Sequence, residues 1–136
     1  MKRLARFGIL AALPLMLASV TAGPAASSVY GVWRNPGGTI DVRIAPCGDE
    51  LCGTVARASA KAIQDARDAG VSNLVGVELL RDYKRVAPDR WNGRVYVPDM
   101  GDTFSSHIVE VSPTALKISG CLLGGWLCKS QLWTRV

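Results

Sequence analysis

The chain has 136 residues and a formal charge of +5, from 16 basic and 11 acidic residues. That length suits one domain and leaves no room for several. Lys2, Arg3 and Arg6 stand at the extreme N-terminus; without them 13 basic residues face 11 acidic ones, or +2, too small an excess to indicate a nucleic-acid surface.

After this basic start comes an apolar run from Phe7 to Ala18, broken only by Gly8 and Pro14, and then the small-residue stretch "SVTAGPAASS". A positive opening, a short apolar centre and a small-residue exit predict a secretory signal peptide over 1–22, helical across 7–20. Val20 and Ala22 suit cleavage after Ala22, and sites as far as residue 27 remain open. The apolar run is shorter than the ~20 residues a membrane span needs, so no transmembrane span is expected in the mature protein. The expected product is one domain over 28–136, periplasmic or secreted. All four cysteines, Cys47, Cys52, Cys121 and Cys128, fall within it. An even count in an exported small domain predicts two disulfides, with three possible connectivities. Cys47–Cys52 and Cys121–Cys128 are favoured because each pair flanks a turn. The C-x4-C and C-x6-C spacings depart from the C-x2-C of most structural zinc sites, and no metal is expected.

From Val29 onward short β-rich runs alternate with turn residues. "VYGVWR" (29–34) reads as the first strand and "NPGG" as a turn. In "TIDVRIA" (39–45) Ile40, Val42 and Ile44 share one face. "CGDE" turns the chain into "LCGTVAR" (51–57). The period then changes: in "SAKAIQDARDAG" (59–70) Ala62, Ile63, Ala66 and Ala69 fall on one helical face, Ser59 suits the N-cap and Gly70 the C-terminal stop. "LVGVELLRDY" (74–83) resumes the strands and "KRVAPD" (84–89) reads as a loop. "RWNGRVYVP" (90–98) follows, with a bulge expected at Gly93. "TFSSHIVEV" (103–111), "ALKISGC" (115–121) and "LCKSQLWTRV" (127–136) complete the set, the last two joined through Gly124 and Gly125. The prediction is an all-β domain: an antiparallel meander of about eight strands with one short helix. Closing the first strand on the last would remove its open edges.

"GVW" (31–33), "CGDELCG" (47–53), "VGVELL" (75–80), "WNGRVYVPDMGDTF" (91–104), "LKISGC" (116–121) and "KSQLWTRV" (129–136) together resemble the DUF2147 family, small exported bacterial proteins of unassigned activity. The resemblance implies a lipocalin-like β-barrel and no established chemistry. Two departures stand out: the stretch "AIQDARDAGVSN" is shorter than the family's usual loop, and Phe104 stands in "GDTF" where the family often has a tyrosine. The Gly-x-Trp of residues 31–33 also resembles the entry strand of lipocalins. That resemblance makes Trp33 a barrel-end plug beneath Arg135 from the last strand, a structural pair.

No catalytic residue is assigned. His107, the only histidine, has Ser106 on the opposite strand face and Ser105 too far along its own. Asp99 and Asp102 flank Met100-Gly101 and read as turn formers after Pro98. Glu78 interrupts an apolar strand and points either to a ligand or to solvent. Arg81, Lys84, Arg85, Arg90 and Arg94 form a basic stretch near Trp91, offset by Asp82 and Asp89 and read as a solvated loop. A lipocalin-like barrel predicts a non-enzymatic binding module for a small, mostly apolar ligand, without a cofactor; Tyr96, Asp99 and Phe104 are its expected rim or pocket residues. The alternative is an interaction protein. In it the apolar tip "CLLGGWLC" (121–128), led by Leu123 and Trp126, docks on an envelope protein or a membrane surface.

Overall fold

The computed structural model describes residues 8–19, 28–122 and 127–136. Eight strands and one helix follow in chain order: β1 (Gly31–Arg34), β2 (Ile40–Cys47), β3 (Glu50–Ala58), α1 (Ala60–Asp68), β4 (Glu78–Ala87), β5 (Arg90–Val97), β6 (Asp102–Ser112), β7 (Ala115–Leu122) and β8 (Leu127–Arg135). Each strand pairs antiparallel with the next, and β1 pairs with β8, so the sheet closes into a barrel. Closure satisfies the edge groups that an open meander would leave exposed.

Inward residues alternate along each strand, as pleating requires. Trp33, Val42, Ile44, Leu51, Val55, Leu80, Tyr83, Ile108, Leu116 and Trp133 form the core. Full burial of one such aliphatic side chain contributes roughly 1.5–3 kcal/mol. Among them Trp33 and Tyr83 are wholly buried.

Topology sorts the connections to two ends. The β1–β2 and β5–β6 turns, the α1 connection, the end of β7 and the start of β8 lie at one end, and the β2–β3, β4–β5 and β6–β7 turns with the start of β1 at the other. Helix α1 begins at Ser59, whose side chain accepts from the Ala62 amide at 3.1 Å. The Ser59 amide donates to the Thr39 carbonyl at 2.8 Å, tying the helix start to the β1–β2 turn. Ala66 is the helix residue buried against the barrel.

Three expectations require correction. Residues 74–77 are not strand: the Val77 amide donates to the Leu74 carbonyl at 3.1 Å across a turn, and Leu74 is buried in the core. Strand β4 instead runs through the expected loop to Ala87, because Lys84 and Arg85 pair with Asn92 and Trp91; only Pro88 and Asp89 turn the chain. The helix expected over 7–20 is also not shown. Residues 8–19 carry no regular secondary structure and are exposed; a short apolar segment with nothing to pack on is a marginal helix in water.

The irregularity expected at Gly93 is present, but its extra residue lies across the ladder. Between the pairs Arg81–Arg94 and Lys84–Asn92, β4 has two residues where β5 has one. Asp82 takes a φ of 56° there, which turns Tyr83 inward over Gly93. A Cβ on Gly93 would lie 2.6 Å from Tyr83 Cγ and 2.7 Å from the Arg81 carbonyl oxygen, so the ring requires glycine beneath it.

Candidate ligand-binding site

One end of the barrel is plugged. Trp33 lies beneath the Arg135 guanidinium, 4.2 Å from its ring centroid, and its indole N–H donates to the Val29 carbonyl at 2.9 Å. Arg135 donates to the carbonyls of Tyr30 and Pro113, each at 2.9 Å, and to that of Ser28. Gly31 belongs to this plug: its φ is 130°, and a Cβ there would stand 2.8 Å from Arg135 Nη1. A polar groove of about 390 Å³ lies on this side, bordered by Asp49, Glu50, Arg85, Trp91 and Glu110.

The opposite end holds an apolar cavity of about 290 Å³. Leu80, Val95, Phe104, Ile118, Leu122 and Trp133 line it, with Gly120 thinning its β7 wall. A neighbouring groove of about 370 Å³ runs between this mouth and α1, sharing Leu79, Val95, Val97, Gln131 and Trp133 with the cavity. Mostly apolar walls with a few placed polar groups are the usual make-up of small-molecule sites.

The three expected pocket residues divide between these spaces. Phe104 lines the cavity. Tyr96 and Asp99 line the groove beside α1. Tyr96 alternates with the cavity-lining Val95 and Val97, and Arg81 stacks on its ring at 4.6 Å. Asp99 faces Lys61 of α1, and with Asp65 it holds the Lys61 amine above its ordinary pKa, the Asp65 hydrogen bond being the larger cause. Lys129 and Gln131 were not among the expected site residues, although both line the cavity. The signal was the alternation Lys129, Gln131, Trp133 along the last strand.

The tip residues Leu123 and Trp126 lie outside the described residues. Both cysteine pairs are disulfides, Cys47–Cys52 and Cys121–Cys128, with Cα atoms 5.6 and 4.0 Å apart. The Glu78 carboxylate lies within 4.8 Å of Cys47 and Cys52, on the outer side of the sheet. Bonded to each other, those two sulfurs present no thiolate to a metal.

The basic stretch is engaged locally. Arg94 pairs with Asp82, Lys84 with Glu50 at 3.7 Å, and Arg85 stacks on Trp91 at 5.4 Å. His107 Nδ1 stands 2.7 Å from Asn92 Oδ1. Ser119 is opposite His107 in the β6–β7 register, but its hydroxyl is 2.7 Å from Ser130 Oγ. This polar row lies on the outer face, away from the cavity. Asp102 Oδ1 accepts from the adjacent Thr103 amide at 3.0 Å.

A closed eight-stranded antiparallel barrel, plugged at one end by Trp33 and Arg135, defines a lipocalin-like architecture. Protein HP1028 from the human pathogen Helicobacter pylori, described as belonging to the lipocalin family, is a solved structure similar to this one. The TM-score is 0.59 at 13% sequence identity, over 80% of this chain and 83% of that chain. The chain belongs to the DUF2147 family, described as an uncharacterized protein conserved in bacteria, whose model matches residues 31–135. No curated protein matches the chain. No described helix is long and apolar enough to cross a membrane.

Proposed function

We propose that the protein is a bacterial binding module that holds a small, mostly apolar ligand inside its barrel. The observation that carries this reading is the apolar cavity at the end opposite the Trp33–Arg135 plug. Phe104 contributes to its wall, and Tyr96 and Asp99 form the outer rim beside α1. We further propose that residues 1–22 direct export and are removed by cleavage between about residues 22 and 27, leaving the domain over 28–136 in the periplasm or outside the cell. Two disulfides support this location, since such bonds persist in oxidising compartments.

The test is binding of an apolar fluorophore, N-phenyl-1-naphthylamine, followed by its emission increase. Gly120→Leu places a side chain in the cavity wall, where a Cβ already meets Val95 at 3.4 Å. The expected result is saturable binding that this substitution weakens at least tenfold. Absence of binding, or equal binding by the variant with its fold retained, defeats the reading.

A further inference from the structure

Among the described residues, the apolar cavity has a single charged lining residue, Lys129. It shares a strand face with Gln131 and Trp133, because alternate residues point the same way, and all three reach the cavity. Lys129 is exposed. Its methylenes therefore follow the apolar wall while the ammonium stays at the mouth, as long cationic side chains do. Carboxylates pair with Arg34, Arg57, Lys61, Lys84 and Arg94; among the described residues no ion pair includes Lys129 and no carboxylate lines the cavity. Asp65 and Asp99 border the adjoining groove, toward α1.

Local construction fixes the strand that carries Lys129. Lys129 pairs in register with Gly120, which offers no side chain to cover the wall. The next pair along the hairpin is Cys121 with Cys128, cross-linked at a Cα separation of 4.0 Å. The strands are thus fixed immediately beside the cation. An ammonium offers three donors and no acceptor, so it selects an anionic group over a neutral or cationic one.

Resting on the reading that the cavity takes an apolar ligand, we infer that the ligand is an anionic amphiphile: an apolar body packed against Leu80, Val95, Ile118 and Trp133, with one carboxylate or phosphate head held by Lys129 at the mouth. The body supplies affinity through burial, and the head sets orientation and selects charge.

Isothermal titration of the protein, produced from its full-length chain, with decanoate, decyl phosphate, decanol and decyltrimethylammonium tests this. The wild type should bind at least one anion about tenfold more tightly than decanol, the scale of one charge-assisted contact, and bind the cation most weakly. Comparing decanoate with decyl phosphate identifies the head. Lys129→Gln should bring anion binding down to that variant's own decanol level, whereas Lys129→Arg should keep the preference. Circular dichroism confirms that each variant is folded. Equal wild-type affinity for both anions and decanol, or an anion preference unchanged in Lys129→Gln, overturns charge selection and leaves the binding-module reading standing. Failure of all four compounds to bind overturns both.

Discussion

Arg135 lies over Trp33 with 4.2 Å between guanidinium carbon and ring centroid, joining the last strand to the first at the plugged end. The same guanidinium also donates to carbonyls of Ser28, Tyr30 and Pro113. It therefore ties together the entry segment, the β6–β7 turn and the closing strand.

Replacing Arg135 by Gln should lower unfolding free energy by about 2–3 kcal/mol, from one cation–π contact and the loss of well-directed hydrogen bonds. Arg135→Lys should recover less than half, because an ammonium cannot reproduce the planar fork. Trp33→Ala should cost more, about 3–5 kcal/mol, since Trp33 is fully buried. Urea denaturation of the three variants gives the ranking. A loss with Arg135→Gln below about 0.5 kcal/mol would mean the plug is not held by that residue.

Acid should weaken the barrel through Asp41, which is 4% exposed. Arg34 donates to it from Nε at 2.7 Å and from Nη2 at 2.9 Å, and Arg57 from Nε at 2.8 Å. Hydrogen bonds first from Arg34 and then from Arg57 hold its carboxyl well below the usual range, against the opposing effect of burial. A depressed folded pKa gives stability that is complete above the unfolded value, ~3.9, and is lost as pH falls from there toward the folded value. The stability gap between wild type and Asp41→Asn should be constant from pH 7 to about 5.5 and shrink steadily below pH 4. Denaturation midpoints measured across this range decide it; a gap that widens in acid contradicts the linkage.

Tyr83 and Gly93 form a lock within the barrel. Gly93→Ala sets a methyl against the Tyr83 ring and the Arg81 carbonyl, and the backbone contact cannot be relieved by a rotamer change. The expected cost is about 2–3 kcal/mol, at the upper end of overpacking effects. Tyr83→Phe should differ in kind. The buried Tyr83 and Ser106 hydroxyls are neighbours whose geometry falls short of a hydrogen bond. Burial pushes the phenol pKa up, more than the Ser106 hydroxyl lowers it. Removing the Tyr83 hydroxyl should change stability by less than about 1 kcal/mol. A larger loss would show that it makes a bond after all.

Much of this architecture was legible in local pattern. Alternation of Ile40, Val42 and Ile44 set the inner face of β2, and Ser59 marked the helix start. What failed to show was long-range register. Asp82, a residue with a charged short side chain, adopts the positive φ that displaces the ladder by one residue, and nothing in "LLRDYKR" marks that position. The length of β4 exceeds the expected strand for a related reason: its second half, Lys84 to Ala87, is strand because β5 pairs with it, and pairing is not a local property. At the site, Phe104 was reachable by its position near the β5–β6 turn. Lys129 was hidden because a lysine in a closing strand reads as solvent-facing until Trp133 is known to point inward.

The two disulfides should separate stability from binding. Cys47–Cys52 spans the β2–β3 turn, where the register runs unbroken through six paired positions, from Cys47–Glu50 to Val42–Val55, at the end away from the cavity. Cys121–Cys128 clasps the β7–β8 hairpin beside Gly120 and Lys129. Loop entropy for spans this short assigns each bond roughly 2 kcal/mol, so paired Cys→Ser changes at either site should lower the denaturation midpoint by similar amounts. Binding should not follow suit. Without the Cys121–Cys128 bond, the cavity wall carrying Gly120, Leu122 and Lys129 is held by ladder hydrogen bonds alone, and the strands must be ordered when the ligand enters. Cys121→Ser with Cys128→Ser should therefore weaken N-phenyl-1-naphthylamine binding about three- to tenfold, the equivalent of one or two side chains ordered on binding. Cys47→Ser with Cys52→Ser should leave it unchanged under conditions where both proteins are folded. Equal weakening by both pairs would show that the bonds act on binding only through global stability.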